Sequence, residues 1–132
     1  MKLWRFKDYI TSSGENLISD WYNAQPGDIQ AEMDLELRRL AGVQNWNKEG
    51  GFEILRRKHK GLCEIKFLKH LGKKRQFRIA GFFHFNDPVF IMVTACEKGG
   101  RNASAHPAFN LALECLKQFE AGMGDIRESF IY

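Results

Sequence analysis

The chain has 132 residues, 44% of them hydrophobic and 27% charged, with a formal net charge of +4. These proportions exclude a disordered or fibrous chain, and no apolar run approaches the ~18 residues that a membrane-spanning helix needs. The length suits a single domain over residues 1–132, large enough to bury a core without disulfides or metal.

In chain order, the opening KLWRFKDY mixes charge with apolar residues instead of forming the apolar core of a signal peptide, so a cytoplasmic protein is expected. Residues 2–9 read as a first strand. Glu15 to Tyr22 reads as a short helix that ends before Pro26, because a residue preceding proline is pushed out of the helical region. Asp28 can cap a second helix, in which Ile29, Met33, Leu37 and Leu40 recur at helical spacing and Gly42 supplies the stop. Residues 45–61 mix glycine, charge and the pair Ile54 and Leu55, and read as loop with room for one short strand. Three alternating strands follow: Cys63, Ile65 and Phe67; then Phe77, Ile79, Phe83 and Phe85; then Val89, Ile91 and Val93. A last helix opens at Pro107, carries Phe109, Ala112, Leu116 and Phe119 inward, and closes at Gly122. The predicted fold is α+β, an antiparallel-rich sheet in the order strand, helix, helix, three-strand meander, helix, with the helices on one face.

Charge is distributed unevenly along this order. Residues 56–78 hold ten Lys or Arg and one Glu, so this stretch carries +9 and the remainder −5. A basic strip on a slightly acidic body is the footprint of a polyanion binder. Aligning core faces pairs Phe67 with Phe77 and Ile65 with Ile79, which sets Lys66 across from Arg78 on the face left open. Continuing with Phe83 opposite Ile91 and Phe85 opposite Val89 places Arg78 across from Cys96, with Lys98 following. Like charges facing each other weaken a sheet, so this pair asks for an anion, and phosphate is the expected one. Phe82 and Phe90 are predicted on the same open face, where they could stack bases.

The segments GLCEIKF, RQFRIAGFF, FIMVTACEKGGR and HPAFNLALECLKQF, in that order, resemble the RelE/ParE superfamily of toxins, in particular its phage-derived HigB-like branch. The likeness covers about residues 50–120; upstream it is general, resting on the two helices and Trp4. It implies a RelE-like fold and the toxin component of a type II toxin–antitoxin system: a ribosome-associated endoribonuclease that cuts translated mRNA, with a cognate antitoxin, commonly of helix-turn-helix type, as partner. By position, Lys66 stands where the family has Arg in its Glu-(aliphatic)-Arg strand, Arg78 matches the Arg of the next strand, and Lys98 matches the first Lys of Phe-x-Lys-Lys. The chain departs from that pattern in Cys96 for the Phe, Gly99 for the second Lys, and a longer stretch from Lys98 to Pro107 that contains Arg101.

Metal-independent RNA cleavage needs a base for the 2′-hydroxyl, charge stabilisation at phosphorus, and an acid for the departing 5′-oxygen. Arg78, always charged and planar, suits the second task. Lys66 and Lys98 serve electrostatically, or as acid and base if crowding by cations lowers their pKa values. The candidate catalytic set is therefore Arg78, Lys66 and Lys98, with Arg75, Lys73, Lys74, Arg101, Lys58 and Lys60 as RNA-binding cations. Glu64 is read as orienting Lys66 or Arg78, with Glu97 a lesser candidate for that part. His59, His70, His84 and His106 show no paired spacing and read as solvated loop residues or surface groups, with His106 and His59 the foremost of the four as catalytic alternatives. Cys63, Cys96 and Cys115 form no CxxC and read as reduced thiols; no metal or cofactor is expected. Two further readings share these features: a RelE-fold RNA- or protein-binding module with degenerate chemistry, which Gly99 favours, and a ParE-like gyrase inhibitor.

Overall fold

A computed structural model describes residues 3–69, 74–84, 86–98 and 106–131. The elements are β1 (Arg5–Ile10), α1 (Leu17–Asn23), α2 (Gly27–Ala41), β2 (Phe52–Ile54), β3 (Cys63–Lys69), β4 (Arg75–Phe83), β5 (Val89–Lys98), α3 (His106–Glu120) and β6 (Asp125–Glu128), with short 3-10 helices at Trp46–Lys48 and Arg57–His59. The class is α+β. The sheet has six strands in the order β2-β3-β4-β5-β1-β6. Only β1 and β5 pair in parallel; the other neighbours are antiparallel.

Local chemistry explains most of these boundaries. Asn16 caps α1 by accepting the Ser19 amide at 3.0 Å, and its own amide donates to Asp8 at 3.0 Å, so one side chain starts the helix and ties it to β1. The α2 stripe Ile29, Met33, Leu37 and Leu40 is fully buried, as its spacing predicts, and Gly42 ends the helix. Asp28 lies in the first turn instead of capping it, where it receives Lys69 Nζ at 2.5 Å. Trp46, inside the stretch read as loop, is buried against Trp4, Phe6, Phe52, Phe83 and Phe90, and its indole N–H donates to the Leu40 carbonyl at 2.8 Å. One side chain thereby fastens the end of α2 to the sheet.

Helices do not share one face, which corrects the expected layering. The face carrying Phe6, Ile65, Phe67, Phe77, Ile79, Phe90 and Met92 packs on α1 and α2, while Tyr9, Leu62, Ala80, Phe82, Val89, Ile91 and Val93 pack with Phe109, Ala112 and Cys115 of α3. The reason lies in β4 and β5, whose runs RQFRIAGFF and VFIMVTA are buried on both sides; such strands need cover on each.

A second correction concerns register. Phe67 does face Phe77, Ile65 faces Ile79, Lys66 faces Arg78 and Arg78 faces Cys96, but Phe83 faces Phe90 instead of Ile91. The pairing shifts between Ala80 and Gly81, where Ala80 opposes Thr94 and Gly81 opposes Met92, leaving Val93 as an extra residue. One inserted residue reverses the face of every side chain before it. Phe90 and Met92 therefore point under α1 and α2, away from Phe82, and both phenylalanines are buried. The expected pair of base-stacking aromatics is absent. The expected pairing of Phe85 lies outside the described residues.

No helix among the described residues is long and apolar enough to cross a membrane.

Candidate functional site

Lys66, Arg78 and Cys96 form one row across β3, β4 and β5, with Gln76 and Lys98 paired in the row beyond and Glu64, Ala80 and Thr94 in the row before. All project from the α3 side of the sheet, since they alternate with side chains of the opposite core. Glu53 of β2 stands beside Glu64. Three of the predicted residues, Lys66, Arg78 and Lys98, therefore do share one region of one face.

They do not await an external anion in the way the linear charge count implies. Arg78 is only 7% exposed; its Nε lies 3.4 Å from Glu64 Oε2, and its Nη2 donates to Gln76 Oε1 at 3.4 Å. Lys66 Nζ lies 3.2 Å from Glu53 Oε2 and 3.7 Å from Glu64 Oε1. The like-charge pair across the strands is thus neutralised within the chain by two carboxylates. Linear counting missed this because Glu53 lies before the basic stretch and reaches it only through the β2–β3 pairing.

Burial pushes the Glu64 carboxyl above its usual range, against the opposing pull of Arg78 and then Lys66. Glu53, hydrogen-bonded to Lys66, is held below it. Glu64 and Glu53 thus sit side by side with proton affinities displaced in opposite directions, Glu64 by burial and Glu53 by its ion pair with Lys66. Cys96, facing Arg78, is also raised by burial, and Cys63 is pushed up to about 12 by the same cause, so neither is a thiolate nucleophile at neutral pH.

The remaining predicted cations divide. Arg75 is clamped by Glu97 through two bonds of 2.7 and 2.6 Å and lies over the Phe77 ring. Lys74 and Lys98 are exposed. Lys58 and Lys60, with Arg56 and Arg57, are exposed around the 3-10 helix Arg57–His59 and make no ion pair with any described residue. Arg57 holds a left-handed φ of 59°, unusual for a non-glycine residue. Lys73, Arg101, His70 and Gly99 lie outside the described residues.

Two histidines read as solvated are brought together. His59 is 6% exposed, and its Nε2 lies 2.8 Å from Asn110 Oδ1. Its ring meets those of His106 and Phe109, with centroids 5.3 and 5.4 Å away. Since a carbonyl oxygen only accepts, His59 donates from Nε2 in this arrangement. No sequence signal linked positions 59 and 106; the packing of α3 on the 3-10 helix does so. His84 also meets α3, through Phe119, and lies 3.5 Å from Asp87.

A groove of about 680 Å³ opens beside this row, within the range of small-ligand sites. It forms where β2 stops short: beyond Phe52 the chain turns away through Gly50 and Gly51, leaving the outer edge of β3 at Phe67 and Leu68 without a strand partner among the described residues. The Gly51 carbonyl still accepts the Lys66 amide at 2.6 Å, and Gly51 has a φ of +90°, which glycine adopts freely. Lys66, Gln76 and Arg78 line one part of the groove, and Glu32, Leu35, Glu36 and Arg39 of α2 another.

Comparison with protein-family models, with curated proteins and with solved structures finds no match. Among the described residues, no group of three or more His, Cys, Asp or Glu is placed to hold a metal ion.

Proposed function

We propose that this chain is a RelE/ParE-type toxin of the HigB-like branch that binds translated mRNA at the ribosome and cleaves it without a metal, and that a cognate antitoxin restrains it in the cytoplasm. The observation that carries the reading is that Lys66, Arg78 and Lys98 lie on one face of three neighbouring strands, the first two paired with a buried carboxylate and lining an open groove. The order of the four sequence segments supplies the family.

In the proposed reaction the 2′-hydroxyl attacks the adjacent phosphorus, giving a 2′,3′-cyclic phosphate and a free 5′-hydroxyl. Glu64 accepts the 2′-hydroxyl proton, for which a raised carboxyl pKa suits it. Arg78 stabilises the charge gathering on the phosphoryl oxygens, exchanging part of its contact with Glu64 for the phosphate. Lys66 or Lys98, the cations flanking Arg78, supplies the proton to the departing 5′-oxygen. Arg56, Arg57, Lys58 and Lys60, which make no ion pair with any described residue, extend the phosphate-binding surface.

A second reading has its own support. Glu53 and Glu64 already neutralise Lys66 and Arg78, and Gly99 replaces a family lysine, as expected of a module that holds RNA or protein without cutting. Induced expression followed by transcript mapping separates the readings. Growth arrest with truncated translated mRNA is the expected result, both being lost in Arg78→Ala and the cleavage rate falling about 10²–10⁴-fold in Glu64→Gln, the usual loss for a general base. Intact transcripts with normal growth would leave the binding module, and arrest with a DNA-damage response but whole mRNA would leave gyrase inhibition.

A further inference from the structure

We infer that the groove between α2 and the free edge of β3 is a nucleobase subsite that selects guanine, with Glu32 as the residue that reads the base. The inference rests on the RNA-acting function proposed above and adds to it a substrate preference.

The groove joins two chemistries. At the sheet the lining cations are Lys66 and Arg78, which a phosphate would reach by sharing them with Glu53 and Glu64. At the helix, two carboxylates line the same space, but they are not equivalent. Glu36 is committed to Arg39, which is held in turn by Glu49 at 2.5 Å and the Gly50 carbonyl at 3.2 Å. Glu32 is half-buried and has no hydrogen bond or ion pair with any described residue, so both its oxygens are available. Leu35 from α2, 62% exposed, and Leu68 from β3 give the groove an apolar surface on each wall, suited to the flat faces of a base.

A free carboxylate discriminates sharply among bases. Guanine alone presents two adjacent donors, N1–H and N2–H, which a carboxylate accepts together. Adenine and cytosine place an acceptor nitrogen next to their amino group, and uracil flanks its N3–H with two carbonyls; each sets a lone pair against the second carboxylate oxygen. A base held there would lie beside the cations that take its phosphate. An uncommitted acid at that position would only repel an RNA backbone if phosphate binding were the groove's whole task.

The test is calorimetric titration of the full chain with the 3′-monophosphates of guanosine, adenosine, cytidine and uridine. Guanosine monophosphate is expected to bind about tenfold or more tightly than the others, the discrimination typical of one bidentate base contact. Glu32→Gln should abolish that preference while circular dichroism shows an unchanged fold, whereas Lys66→Gln should weaken all four nucleotides together. Equal binding of the four, or a guanine preference that survives Glu32→Gln, overturns the inference. If RNA is bound or cut while mononucleotides show no base preference, base reading by Glu32 is wrong and the RNA-acting function stands; if neither RNA nor any nucleotide binds, both fall.

Discussion

Glu64 shows how one residue's meaning changes with its surroundings. In the sequence it is a single acid among cations, and orienting them is a sufficient role. In the fold it is 5% exposed between Lys66 and Arg78, with burial outweighing their attraction. A carboxyl whose folded pKa is raised binds its proton more tightly folded than unfolded. Its unfavourable contribution is therefore absent below the ordinary carboxyl range and grows as pH rises through the folded pKa. The stability of the wild type relative to Glu64→Gln should fall as pH rises through that window. Urea midpoints measured for both proteins between acid and neutral pH check this; a difference independent of pH would mean that Glu64 is ionised normally. Asp8, also buried and raised by burial, remains in both proteins and cancels from the comparison.

At the level of elements, the least legible parts of the sequence carry the most consequence. Trp46 sits in a stretch with no periodicity, yet it joins α2, β2 and the sheet core. Trp46→Ala should cost about 3–5 kcal/mol in denaturant unfolding, the usual cost of truncating a buried aromatic side chain. The bulge at Ala80 and Gly81 has the same hidden character. A Cβ on Gly81 would lie 2.2 Å from the Ile91 carbonyl oxygen and 2.7 Å from the Phe90 ring, so Gly81→Ala should destabilise the protein by more than 1 kcal/mol, read as a lowered urea midpoint. Helix α2 was legible because its apolar spacing is regular and its whole stripe is buried. The core register of β3 on β4 was legible because both strands alternate without interruption. β6 was not: Asp125–Glu128 has no apolar rhythm, and it becomes a strand by pairing with β1, where Glu128 meets Arg5 and Lys7.

Over the whole molecule, the basic stretch separates into two populations. Lys66, Lys69, Arg75 and Arg78 are paired with Glu53, Asp28, Glu97 and Glu64 respectively, while Arg56, Arg57, Lys58, Lys60 and Lys74 make no ion pair with any described residue. The second group should dominate the salt dependence of RNA binding. Replacing Lys58 and Lys60 together by alanine should reduce the slope of log affinity against log salt by about 1.4, at roughly 0.7 for each phosphate contact to a single strand. Fluorescence anisotropy with a single-stranded RNA checks this, and the slope should change much less in Arg75→Ala. An unchanged slope in the double variant would place the RNA track elsewhere.

Composition and apolar rhythm by themselves determined the α+β class, four of the strands, the helices, and the facing of Lys66 with Arg78, because hydrophobic spacing is a local property that burial must satisfy. Tertiary structure alone decided which charges meet, which face the residues before the bulge present, and that both faces of the sheet are covered. Those outcomes depend on residues far apart in the chain: Glu53 reaching Lys66, Val93 adding one residue to a ladder, and His106 coming to rest against His59. Electrostatic pairing and strand register are set by proximity in space, and no count along the chain contains it.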